Sequence, residues 1–168
     1  FRVFFYLSFN SPPHHALLFD TVSKILSMNL DFLNKKKKKS IIGGTHKSPY
    51  PDLICQCLIY LNELPDFNNY AVLLLSREDV CNGLINIFKN FHNESKYIFT
   101  FLGHLSLQIR NNAVKFEIPK SILDNIIPDA DFLNNPFASE YMVYNPNKFK
   151  DQVISVLAKA SPPTEAEK

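Results

Sequence analysis

Tryptophan is absent from this 168-residue chain, and methionine (2), cysteine (3) and glycine (4) are scarce. Three cysteines, Cys55, Cys57 and Cys81, do not form an even disulfide framework. The fold is therefore expected to rest on an apolar core, in a reduced cytoplasmic or nuclear setting. No apolar run approaches the roughly 20 residues that a membrane span needs. The opening stretch, Phe1 to Phe9, is too short for a span and lacks the charged lead and cleavage site of a secretory leader. A dominant charge is missing too: Lys and Arg number 18 against 16 Asp and Glu. Five of the lysines form one run, Lys35 to Lys39, without which 13 basic residues would face 16 acidic ones. A nucleic-acid binder spreads basic residues over a face, so nucleic acid is not an expected partner.

The short motifs of catalysis are missing as well. There is no Gly-x-Ser-x-Gly, no His-Glu-x-x-His and no paired-carboxylate constellation. Gly43-Gly44 follows no strand and precedes no Lys-Ser/Thr pattern, so it is not a phosphate loop. Cys55 and Cys57 stand two apart, a spacing that puts them on different sides of a helix, and no second pair completes a metal set. They are read as packing residues, and His14, His15 and His46 as solvated loop histidines. Asn93-Glu94-Ser95 is a glycosylation sequon that matters only in a secreted chain. The expectation is a non-enzyme with no cofactor, no metal and no small-molecule substrate.

Apolar residues make up 46% of the sequence, 15 of them Phe, enough for a sizeable core. The clearest pattern runs from Asp79 to Leu107. Val80, Leu84, Ile87, Phe88 and Phe91 recur at steps of three and four, and so do Ile98, Phe101, Leu102 and Leu105. The polar run His92 to Ser95 separates them, which predicts a helix hairpin. Ser76, three residues before Asp79, has the spacing of a capping box.

Other stretches are read around this hairpin. Asn10 to Pro13 is a break, and Ala16 to Leu33 carries a helical stripe of Leu17, Leu18, Val22, Ile25, Leu26, Leu30 and Leu33. Residues 35–51 form a flexible Lys-rich insertion. A helix from Pro51 to Leu64, with Ile54, Cys57, Leu58, Leu61 and Leu64 inward, stops at Pro65. Phe67 to Asn69 is a turn, and Tyr70 to Leu75 either a strand or one or two helical turns. Gln108 to Asn112 is a polar turn and Pro119 to Ile127 a helix. Pro128 to Pro136 is loop, Tyr141 to Pro146 is assigned to no element, and Asn147 to Ala160 is a last helix. Residues 161–168 are a disordered tail. The first residue is Phe, not Met, and the chain is expected to be a fragment of a longer protein.

The sequence also repeats itself. Leu61 aligns with Leu102 and Leu64 with Leu105; one added loop residue sets Ala71-Val72 on Ala113-Val114 and Val80 on Ile122. Leu7-Ser8 aligns with Leu105-Ser106, and Ile25-Leu26 with Ile122-Leu123. The period is about 41–42 residues, within the HEAT and armadillo range. With the phrases Tyr60-Leu-Asn-Glu-Leu64 and Phe101-Leu-Gly-His-Leu-Ser106, the chain resembles the armadillo-repeat family from Phe1 to about Ile127, with HEAT repeats close behind.

The resemblance implies an all-α, right-handed solenoid over residues 1–160, with about three repeats and a partial N-terminal one. It also implies a scaffold whose third helices line a concave face for a protein or peptide segment. The groove Trp and Asn of nuclear-import members are missing: Glu63 and His104 stand at the Asn position. The face then comprises Gln56, Tyr60, Glu63, Tyr97, Thr100 and His104. The alternative is a structural helical-repeat arm of a larger enzyme, such as a ubiquitin ligase or a kinase.

Overall fold

The computed structural model describes residues 12–27, 57–132 and 134–154. Among these the chain is all-α, with no strand. The helices are α1 (Pro12–Ser27), α2 (57–62), α3 (Phe67–Leu75), α4 (Glu78–Asn90), α5 (Ser95–Arg110), α6 (Lys120–Asn125), α7 (Pro136–Tyr144) and α8 (150–154). Two 3-10 turns, His92–Glu94 and Ala130–Phe132, join them. The insertion 35–51, the start of the Pro51–Leu64 helix, Leu30, Leu33, the aligned Leu7-Ser8 and the tail 161–168 lie outside the described residues.

The hairpin forms where its two stripes predict it. Val80, Leu84, Ile87, Ile98, Phe101, Leu102 and Leu105 are all fully buried, and Phe88 and Phe91 are half-buried against the same core. α5 is enclosed on several sides: α7 lies along one, and α3 and α4 contact others. α1 packs across α4. Both crossings depend on glycine. A Cβ at Gly83 would strike the Leu26 carbonyl, and one at Gly103 the backbone of Phe137. With only hydrogen there, the paired helices approach until backbone meets backbone.

Several expectations need correction. Ser76 does not cap α4: its hydroxyl bonds the Val72 carbonyl at 2.7 Å, and Arg77 holds the N-cap position without a side-chain cap bond. Arg77 instead bonds Ser23 Oγ of α1 at 2.5 Å and Asp79 at 2.7 Å, which ties α1 to the start of α4. Phe67 to Asn69 is the first turn of α3 and no separate turn, and Tyr70 to Leu75 continues it as helix. α5 runs on through Arg110, and its end is closed by Asn112 in the left-handed region (φ 58°), with Ala113 N–H on the Gln108 carbonyl. The helix after Pro119 is shorter than its sequence suggests, and the Pro128 to Pro136 loop contains a 3-10 turn.

α7 begins inside that loop. Asn135 Oδ1 accepts from the N–H groups of Phe137 and Ala138, and Pro136 fills the first helical position, where its missing N–H costs nothing. The last helix starts at residue 150 and not at Asn147, because 145–149 form a turn in which Asn145 Oδ1 accepts from the Lys148 N–H, and it is described as far as 154. Leu17 points outward from α1, while Val22 and Leu26 are buried. His15 is not a solvated loop residue: Pro12-Pro13 starts α1 and does not break the chain, so His15 lies within the helix and is only 6% exposed. His14 lies in α1 as well, and His46 is outside the described residues. Among the described residues no helix is long and apolar enough to cross a membrane.

Candidate binding face

α5 carries three of the six expected contact residues on one face, since Tyr97, Thr100 and His104 follow each other at steps of three and four. They are half-buried in a helix whose other faces hold the buried Ile98, Phe99, Phe101, Leu102, Leu105 and Ser106. Tyr97 packs its ring against the core and has the Lys96 ammonium over it at 4.8 Å. The Thr100 hydroxyl is turned back onto the Lys96 carbonyl at 2.9 Å. This leaves its methyl group as the available surface.

His104 lies flat on Phe67, ring centroids 4.3 Å apart and planes 7° from parallel. Phe67 also meets Phe101 edge-on at 5.8 Å. One face of the imidazole is thus taken by the protein. Burial pushes the His104 imidazole below its usual value of 6.5. The unfolded chain therefore binds this proton more readily than the folded chain, and stability is lost as pH falls below about 6.5. A His104→Phe variant, which keeps the stack, is expected to flatten the thermal midpoint between pH 7 and pH 5. A pH dependence identical to that of the parent would contradict this.

The other three residues come from the segment before α3. Tyr60 is half-buried against the core at the end of α2. Glu63 is exposed and lies in the turn that follows α2, its N–H bonded to the Tyr60 carbonyl at 3.1 Å. Phe67, four residues later, brings this segment against His104. Gln56 lies outside the described residues. Cys57 and Cys81 are buried and both thiols are pushed up to about 11, chiefly by burial, so they are packing groups and not nucleophiles.

A second cluster has no counterpart in the sequence reading. His92, in the turn between α4 and α5, meets Asp129 and Asp131, at the turn before α7. They are 37 and 39 residues away in the sequence, and only the pair Asp129-x-Asp131 could have signalled them.

Searches against protein-family models, curated proteins and solved structures find no match to this chain.

Proposed function

We propose that this chain is a non-enzymatic, armadillo- or HEAT-like scaffold that binds a protein segment along Tyr97, Thr100 and His104, flanked by Tyr60 and Glu63; Gln56 is the sixth residue the sequence assigns to this contact. The observation that carries this reading is the α5 stripe itself. A helix enclosed on its other faces offers one half-buried strip of aromatic, methyl and imidazole surface on a rigid backing. That surface can gain contacts from a partner without large ordering losses. The chemistry suits an extended or helical peptide that sets an apolar side chain on the stripe and a basic residue near Glu63.

Burial agrees at several equivalent positions of the repeat register, but not at Ala71, which is buried, and Ala113, which is exposed. Leu61 and Leu102, Leu64 and Leu105, and Val80 and Ile122 are all buried. Val72 and Val114 are both half-buried. Residues 113–119, which the register sets against α3, are not helical, so the two units differ in their connecting segment. A placement in the cytoplasm or nucleus fits the uncrosslinked thiols of Cys57 and Cys81.

A random-peptide phage library panned against the chain is expected to select peptides that pair a basic residue with an aromatic or aliphatic one. Glu63→Lys should weaken a selected peptide roughly tenfold, about 1.4 kcal/mol, with an unchanged thermal midpoint. Loss of affinity should be greatest at low salt, as expected for a rim charge. If Glu63→Lys and His104→Ala both leave affinity unchanged, the site is on another face.

A further inference from the structure

The open side of α5 is longer than three residues. At about 100° per residue, the buried positions of α5 fill about 200° of its circumference. The opposite sector holds Tyr97, Thr100, His104, Leu107 and Gln108, all half-buried. The first four follow at steps of three, four and three, with Gln108 beside the last. From Tyr97 to Gln108 the sector runs about 16 Å, or three helical turns. A second helix lying along α5 meets side chains at this same spacing.

The polar groups of the sector favour such a partner over an extended one. In the middle of α5 the N–H and carbonyl groups are taken by the helix itself. The Thr100 hydroxyl gives its proton to the Lys96 carbonyl, and Leu107 has no polar group at all. An extended segment lying here would turn N–H and carbonyl groups onto α5 that find few partners, at a cost in free energy. A helix satisfies its own backbone and brings only side chains to the contact.

Two charges flank the sector. Lys96 is exposed at its N-terminal end, with the ammonium over the Tyr97 ring at 4.8 Å. Glu63 is exposed in the turn that leads to Phe67, whose ring is stacked on His104. Lys96 and His104 are eight residues apart on α5, so the cation and the carboxylate stand about two turns apart along its axis. Arg110, at the far end, is already engaged by Glu140 at 2.7 Å.

We propose, resting on the reading of this stripe as a binding surface, that its partner is an amphipathic α-helix of about three turns. The partner sets apolar side chains at helical spacing on Thr100, His104 and Leu107. It places an acidic residue opposite Lys96 and a basic one, about two turns away, opposite Glu63. Leu107 and Gln108 thereby join the contact.

The test uses a peptide selected from the phage library on the full chain, made in three forms. One is the peptide as selected, one is cross-linked between outward-facing positions i and i+4 to hold a helix, and one carries proline at a central outward-facing position. Far-UV circular dichroism of the mixture is expected to show more helix than the sum of its parts. The cross-linked form should bind about tenfold tighter, because less order is lost on binding. The proline form should bind about a hundredfold weaker. Lys96→Glu should weaken the selected peptide about two- to fivefold, the range of an exposed ion pair, and changing the acidic residue of the peptide to Lys should restore the affinity. Lys96 is exposed, so this variant should fold like the parent. If the proline form binds as tightly as the parent while the Tyr97, Thr100 and His104 amides still shift, the partner is extended; the helix is then overturned and the stripe stands as a binding surface. If no selected peptide shifts these amides, both readings fall. If Lys96→Glu binds the selected peptide unchanged, the charge placement is overturned.

Discussion

Replacing Leu102 with alanine is expected to destabilise the chain by roughly 2–5 kcal/mol. Leu102 is fully buried in the middle of α5, in the same core as the buried residues of α2, α3, α4 and α7. Removing its branched end loses transfer free energy and leaves a cavity whose walls belong to several elements, so no single helix can shift to fill it. Glu63, by contrast, is exposed in a turn, and Glu63→Ala should change stability by no more than about 0.5 kcal/mol. Urea unfolding of the two variants gives both numbers. Equal costs, or the reverse order, would mean that the α5 register is wrong by about one residue.

Gly103→Ala should also be strongly destabilising, and here the sign is the test. On helix propensity alone the exchange would stabilise α5 by about 1 kcal/mol. The added methyl, however, would enter the space of the Phe137 carbonyl oxygen, carbon and Cα. These are backbone atoms, so no side-chain rotation can relieve the contact. α7 must move away from α5, and Tyr141, fully buried among Phe99 and Phe149, must move with it. A net loss of about 2 kcal/mol or more is expected from overpacking of this kind. A gain on thermal unfolding would show that the two helices do not cross at Gly103. Gly83→Ala, opposed by the Leu26 carbonyl, should behave in the same way for α1 on α4.

The parts of the fold that were legible are those with a one-sided pattern. α4 and α5 alternate buried and exposed positions with helical period, so their stripes could be read from residue type alone. α7 could not. In Pro-Phe-Ala-Ser-Glu-Tyr-Met-Val-Tyr the apolar residues fall on all sides, and three of them, Ala138, Tyr141 and Met142, are buried while Phe137 and Val143 are exposed. Its start was masked by chemistry that serves two purposes: Asn135-Pro136 looks like a turn and is a cap with its first helical residue. α3 hid behind Asn68-Asn69, which are turn formers in isolation and first-turn residues here. Tertiary packing outweighs local preference at both places.

The candidate sites divide in the same way. The spacing of Tyr97, Thr100 and His104 was visible, because one helix carries all three. The stack of His104 on Phe67 was not, since it joins residues 37 positions apart, and it withdraws one face of the imidazole from any partner. His92, Asp129 and Asp131 were hidden for the same reason. Each lies in a polar turn without periodicity, and the packing of Phe132 against both Phe99 and His92 brings the two turns together.

The half-buried stripe of α5 as a binding surface is tested most directly by amide NMR of the ¹⁵N-labelled chain, titrated with a peptide selected from the phage library. The expected result is a contiguous set of shifted amides at Tyr97, Thr100 and His104, extending to Glu63, with those around Val143 on α7 unmoved. Shifts confined to α7 or to the His92 turn, with α5 silent, would contradict it.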